Sequence, residues 1–216
     1  MSYEEKIDKK IIIKSAILFV ILQSVLNFGF LFLKILNNEF VLNNANFFCY
    51  FPLFILFLTV YGKTLVESLK KLKKEGFKYL EIWVLCTIFL MVVVAIAVDR
   101  IGIINKNDTV EIAQNYILGF ITAVIFGPVI EELMYRYFIF RSLERMNKVF
   151  GHILAAFIFG FVHVWHYVLL DGDLTQLVSM SAYLIIGLGA STLYSKNKNI
   201  CYPIFLHSLI NFIAVI

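Results

Sequence analysis

The chain has 216 residues, 61% hydrophobic and 16% charged, with a formal net charge of +4 and a mean hydropathy of +0.85. Soluble domains run at about 45–50% apolar and about 25% charged, and an excess of this size, 22 Phe and 11 Tyr included, would leave larger apolar patches than a water-facing surface tolerates. The composition excludes a soluble globular domain, and with 3 Pro and 11 Gly it excludes low-complexity disorder as well. Cys49, Cys86 and Cys201 are scattered through apolar runs, which fits packing rather than a disulfide framework or a zinc ribbon. No basic stripe interleaved with aromatic residues suggests nucleic acid. One integral membrane domain, 1–216, with an all-α fold is expected.

Apolar runs of about 17–25 residues suffice for a helix to cross a ~30 Å hydrocarbon core. Reading them in chain order predicts seven spans: 11–36, 47–62, 80–101, 112–140, 149–170, 174–194 and 200–216. The first is expected to persist as a signal-anchor helix, because Lys14 and Lys34 bound a long apolar stretch and no small-residue cleavage site follows. The second is short. The lysine-rich segment Glu67–Lys78 that follows it is expected as an interfacial or cytoplasmic helix. The fourth is too long for one plain span and is expected to break at Gly127, with Pro128 opening a new helix, where its missing N–H does no harm.

Basic residues near span ends stay on the cytoplasmic side. Lys6, Lys9, Lys10 and Lys14 open the chain, Lys63 to Lys78 fill the second break, Arg141, Arg145 and Lys148 follow the fourth span, and Lys196 and Lys198 precede the last. The intervening breaks hold only Arg100 and Lys106. This alternation predicts a cytoplasmic N-terminus in the cell membrane, with the lysines contacting lipid headgroups. Abundant Lys, Asn, Ile and Phe point to an AT-rich, bacterial genome.

Ionisable groups inside a bilayer are costly and carry a functional hypothesis by default. Three places hold them. In Glu131-Glu132-Leu133-Met134-Tyr135-Arg136, Glu132 and Arg136 are four apart and suit an ion pair, while Glu131 lies about 100° round the helix and is free to face a cavity. In Phe159-Gly160-Phe161-Val162-His163-Val164-Trp165-His166, His163 is the deep histidine and His166 the interfacial one. A hydrogen-bonded core histidine is the plainer alternative there. His152, at the inner end of the same span, is expected to be solvated. In His207-Ser208-Leu209-Ile210-Asn211, two polar side chains share one helix face, and a helix–helix hydrogen bond is the plainer alternative. Counted at ~1.5 Å per residue from the nearest inner-side polar end, all four groups fall roughly 12–22 Å deep, a common band in which they could line one water-filled cavity.

A carboxylate, two imidazoles and a carboxamide form a hydrolytic set: a base for water, and donors for the oxyanion of an attacked carbonyl. Other intramembrane protease motifs are missing. His-Glu-x-x-His is absent, Gly189-Ala190-Ser191 is followed by Thr192 rather than Gly, and Gly187-Leu188-Gly189 by Ala190 rather than Asp. A transporter is disfavoured because no inverted repeat is apparent.

Glu131-Glu132-x-x-x-Arg136, then Phe159-x-x-x-His163, then His207-x-x-x-Asn211, in this order on successive spans, resemble the CPBP family (CAAX proteases and bacteriocin-processing enzymes, also called Abi), relatives of the type II CAAX prenyl endopeptidases. The resemblance covers roughly 112–216, the expected catalytic core. It implies an intramembrane endopeptidase acting on CAAX tails or on leader and signalling peptides. Glu131 and His163 would activate water, His207 and Asn211 would stabilise the tetrahedral intermediate, and Glu132 and Arg136 would shape the site. It leaves two cofactor readings open: a metalloprotease with Zn²⁺ held by Glu131, His163 and His207, or a glutamate-dependent enzyme with no ion. It also leaves a non-enzymatic alternative, a bacteriocin self-immunity or regulatory protein acting by binding.

Overall fold

The computed structural model describes residues 9–103 and 113–216. Lys6, Lys106 and the expected core boundary at 112 lie outside the described residues, as do the side chains of Lys9 and Lys10. Helix is the only regular structure among the described residues: α1 (Lys9–Ile35), α2 (Glu39–Asn43), α3 (Ala45–Lys70), α4 (Lys74–Arg100), α5 (Ile117–Met146), α6 (Lys148–Leu169), α7 (Gln176–Asn197) and α8 (Cys201–Val215). Six of them, α1 and α3 to α7, are long and apolar enough to cross a membrane. The seventh predicted span is α8, an apolar helix of 15 residues. The chain is thus a polytopic helical bundle.

Burial ranks the helices. Within its most apolar stretch α5 is 61% buried inside the protein, against 11% for α1, so α5 is the central helix and α1 faces lipid along most of its length. Phe32 on α1 and Phe89 on α4 are each about two-thirds or more exposed, as lipid-facing apolar groups are. The core around α5 contains Leu22, Phe57, Ile130, Leu133, Met134, Phe140, Phe159, Leu193 and Leu206, all essentially inaccessible. Small residues let helices approach closely where lipid provides no hydrophobic drive. A Cβ on Gly187 of α7 would stand 3.0 Å from the Cα of Ala156 on α6, so this pair of helices packs nearly backbone to backbone.

Two boundaries differ from the sequence expectation. Glu67–Lys78 is not one interfacial helix: α3 runs on to Lys70 and α4 begins at Lys74, with the turn between them. The turn is held from α8, where the Tyr202 hydroxyl accepts from the Lys73 N–H at 2.7 Å and donates to the Lys73 carbonyl at 2.9 Å. Gly76 makes room for that ring, since a Cβ there would lie 2.1 Å from it. The fourth span, in turn, is not broken. Gly127 has helical φ/ψ of −54° and −60°, and α5 continues through two π-helical stretches, Thr122–Phe126 and Leu133–Phe140. A π stretch inside an α-helix re-aims side chains without ending it and is frequent at functional sites.

Three of the basic breaks, Lys63–Lys78, Arg141–Lys148 and Lys196–Lys198, gather at one end of the bundle. Asn199 donates to the Ser68 carbonyl at 2.8 Å, Tyr202 meets Lys73, and Lys198 pairs with Glu144 at 2.8 Å. Ser195 also donates to Glu144. His152 is not simply solvated. It is half-buried, shares a 2.8 Å hydrogen bond with Ser191 and packs against Phe140.

Candidate active site

Glu131 and Glu132 lie on the short α-helical stretch Gly127–Glu132 between the two π stretches of α5. Adjacent positions on a helix diverge by about 100°, and the two carboxylates take different partners. Glu132 is fully buried; its Oε1 forms an ion pair with Arg136 Nη1 at 2.9 Å and a hydrogen bond with His207 Nδ1 at 2.9 Å. The i, i+4 pair read from the sequence is therefore present, with α8 joined to it. Arg136, 1% exposed, stacks its guanidinium 4.2 Å over the ring of Phe159. A cation buried this deeply is compensated by both a carboxylate and an aromatic face.

Glu131 faces the other way. Its Oε1 accepts from the Tyr50 hydroxyl of α3 at 3.2 Å. Its Oε2 lies 3.6 Å from His163 Nε2 and 4.0 Å from His207 Nε2, and accepts no hydrogen bond from the protein. These separations exceed direct hydrogen-bond length. Three elements distant in sequence, α5, α6 and α8, thus bring Glu131, His163 and His207 to one point.

The tautomers follow from the outer partners of the two rings. His163 Nδ1 lies 2.7 Å from the Phe159 carbonyl, and a carbonyl only accepts, so Nδ1 carries the proton. His207 Nδ1 faces the Glu132 carboxylate, which likewise accepts. In the neutral state each ring therefore presents Nε2 as an acceptor toward Glu131. Ring packing fixes the planes: His163 stacks on Tyr183 at 4.3 Å, and His207 stands edge-on to Phe159 at 5.6 Å. The side chain of His163 is 25% exposed, against 5% for His207, so the cluster is open on the His163 side.

Asn211 follows one turn after His207, and its amide nitrogen donates to the Ala123 carbonyl of α5 at 2.8 Å. It thus reaches the same helix as the other three, in the first π stretch. His166 lies one turn beyond His163, beside Trp165 and Tyr167. Two cavities, one lined by Phe40, Asn44 and Tyr116 and one by Val25, Cys49 and Leu53, lie elsewhere, and neither is lined by Glu131, His163 or His207.

A catalytic zinc needs three protein donors at about 2.0–2.2 Å, which sets tetrahedral neighbours roughly 3.3–3.6 Å apart. The chemistry of Glu131, His163 and His207 suits zinc, and the 3.6 Å from Glu131 to His163 is at the top of that range, but the 4.0 Å from Glu131 to His207 is wider. Among the described residues no three His, Cys, Asp or Glu side chains are grouped to hold a metal ion. As placed, these residues do not form a zinc site.

Sequence reasoning missed Tyr50, Tyr183 and the part played by Phe159. Tyr50 stands in a span with no motif around it. Phe159 opens the Phe159-x-x-x-His163 pattern, and its buried ring touches Arg136, His163, His207 and Tyr135.

Residues 113–213, a little under half of the chain, match the family model described as type II CAAX prenyl endopeptidase Rce1-like. The resemblance carried by the three motifs is thereby borne out over that segment. The chain is also 33% identical over 113 residues to the Bacillus subtilis (strain 168) protein named "Putative membrane peptidase YdiL", an overlap covering 52% of this chain and 42% of that protein. The chain therefore spans less than half the length of the curated relative it matches. No solved structure matches the chain.

Proposed function

We propose, from the Rce1-like match over 113–213 and the convergence of Glu131, His163 and His207, that the protein is an intramembrane endopeptidase of the CPBP type. Its catalytic core would be 112–216. It would hydrolyse a CAAX-type tail or a leader or signalling peptide at the membrane, with its N-terminus in the cytoplasm. The observation that carries this reading is the meeting, inside the helix bundle, of Glu131 Oε2 with the Nε2 atoms of His163 and His207. Core packing alone has no use for that arrangement, whereas a water molecule, with two hydrogens to give, suits it.

In this mechanism a water donates to Glu131 Oε2 and His163 Nε2. Glu131 takes one proton as the hydroxide oxygen attacks the peptide carbonyl carbon. The C–O bond forms, and the carbonyl π electrons move to oxygen. His207, protonated on both nitrogens with Nδ1 on the Glu132 carboxylate, donates Nε2–H to that oxyanion, joined by an N–H of Asn211. Collapse re-forms the carbonyl, breaks the C–N bond and sends the proton from Glu131 to the leaving amine. Glu132 and Arg136 hold His207 in register.

The test uses purified, detergent-solubilised protein with a farnesylated Cys-a-a-X peptide and a panel of leader peptides as probes. Glu131→Gln and His163→Ala are expected to lower cleavage at least ~10²-fold, the usual scale for general-base catalysis, without changing monodispersity. Wild-type turnover in either variant would overturn the reading. A wild-type protein that binds but never cleaves would favour the immunity or regulatory role.

A further inference from the structure

Pro128 has no part in the proposed chemistry, yet it lies three residues before Glu131, where α5 changes register. In the π stretch Thr122–Phe126, the Gly127 N–H bonds five residues back, to the Thr122 carbonyl. The next donor in that register would be the N–H of residue 128, aimed at the Ala123 carbonyl. Proline has none. A carbonyl freed in this way within a span must find another donor, and the donor found is Asn211 Nδ2, at 2.8 Å.

We infer that Pro128 is a positioning residue for Asn211: by withholding its N–H it leaves the Ala123 carbonyl to hold the Asn211 carboxamide in a fixed plane. The inference rests on the proposed role of Asn211. A carboxamide nitrogen carries two N–H groups. Anchoring one on Ala123 leaves the other oriented for a second acceptor, the place at which the proposed mechanism develops an oxyanion. The anchor also ties α8 to α5 next to Glu131, so the base and the oxyanion donor share one short piece of backbone.

A four-protein cycle of wild type, Pro128→Ala, Asn211→Ala and the double variant tests this, read first by thermal unfolding of the full chain in detergent. Asn211→Ala leaves the Ala123 carbonyl without its donor and is expected to lower the midpoint by about 2–8 °C. In the Pro128→Ala background a backbone N–H is available, and the same Asn211 change is expected to cost less than a third of that. Equal losses in the two backgrounds would overturn the inference. The second readout is cleavage of the farnesylated Cys-a-a-X peptide. Pro128→Ala is expected to lower kcat about 3- to 30-fold with KM held within twofold, and the double variant to be no slower than Asn211→Ala alone. Multiplying losses in kcat would overturn the positioning role. Coupled midpoints with an Asn211→Ala variant as active as wild type would retire the oxyanion role of Asn211 and leave the backbone anchor standing.

Discussion

Tyr50 on α3 donates its hydroxyl to Oε1 of Glu131 at 3.2 Å, so the half of the chain outside the family match supplies a group to the candidate site. With Oε1 occupied, Oε2 is the oxygen turned to the histidines. A hydrogen bond to a charged group contributes about 1.5–3 kcal/mol.

Tyr50→Phe keeps the ring and deletes that donor. The expected outcome is a kcat lower by about 10- to 100-fold, the rate equivalent of such a bond, with KM nearly unchanged. Steady-state kinetics on the peptide probe decide it, and wild-type kcat would reduce Tyr50 to packing.

The Glu132–Arg136 pair sits at essentially zero exposure on both sides. Removing one partner of a buried pair strands the other charge and costs about 3–5 kcal/mol, while an apolar replacement of both is much milder. Arg136→Met should therefore lower the unfolding midpoint more than Glu132→Leu/Arg136→Met does. Thermal denaturation of the two variants compares them. A double variant as damaged as the single would show that the carboxylate is not the stranded group.

Tyr202 makes two contacts with the Lys73 backbone. Tyr202→Phe loses both and is expected to destabilise by about 1–3 kcal/mol. Amide hydrogen exchange should rise in residues 71–76 while kcat stays within twofold. Unchanged protection there would mean that the turn is held by Asn199 and Ser68 instead.

Because Glu131 and His207 stand 4.0 Å apart, wider than neighbouring ligands of a tetrahedral zinc, activity is expected to survive dialysis against a strong chelator. Elemental analysis of the active protein should find well under one zinc per chain. Loss of activity restored by added Zn²⁺ would establish the metal reading.

What lipid penalises was legible in the sequence. Glu131, His163 and His207 stand out because a charged or polar side chain in an apolar run needs a reason, and Glu132 with Arg136 follows from helical spacing alone. The helical bundle follows from the same composition. Tyr50 was not legible, because tyrosine is ordinary in a membrane span and only the fold brings α3 against α5. The Gly127-Pro128 pair reads as a break, but a missing N–H can also be met from another helix, and Asn211 meets it. The Lys63–Lys78 cluster conceals a turn between two spans, because lysines sit equally well at the membrane-proximal ends of both helices.

The buried Glu132–Arg136 pair has a further consequence for the proposed hydrolysis. Before attack the site would hold two carboxylates, one guanidinium and one imidazolium, which sum to zero. After Glu131 has taken the proton, its negative charge is gone and an oxyanion has replaced it, so the sum is again zero. The reaction moves a charge across a few ångströms without creating one, and a neutral sum is what a medium that solvates ions poorly penalises least.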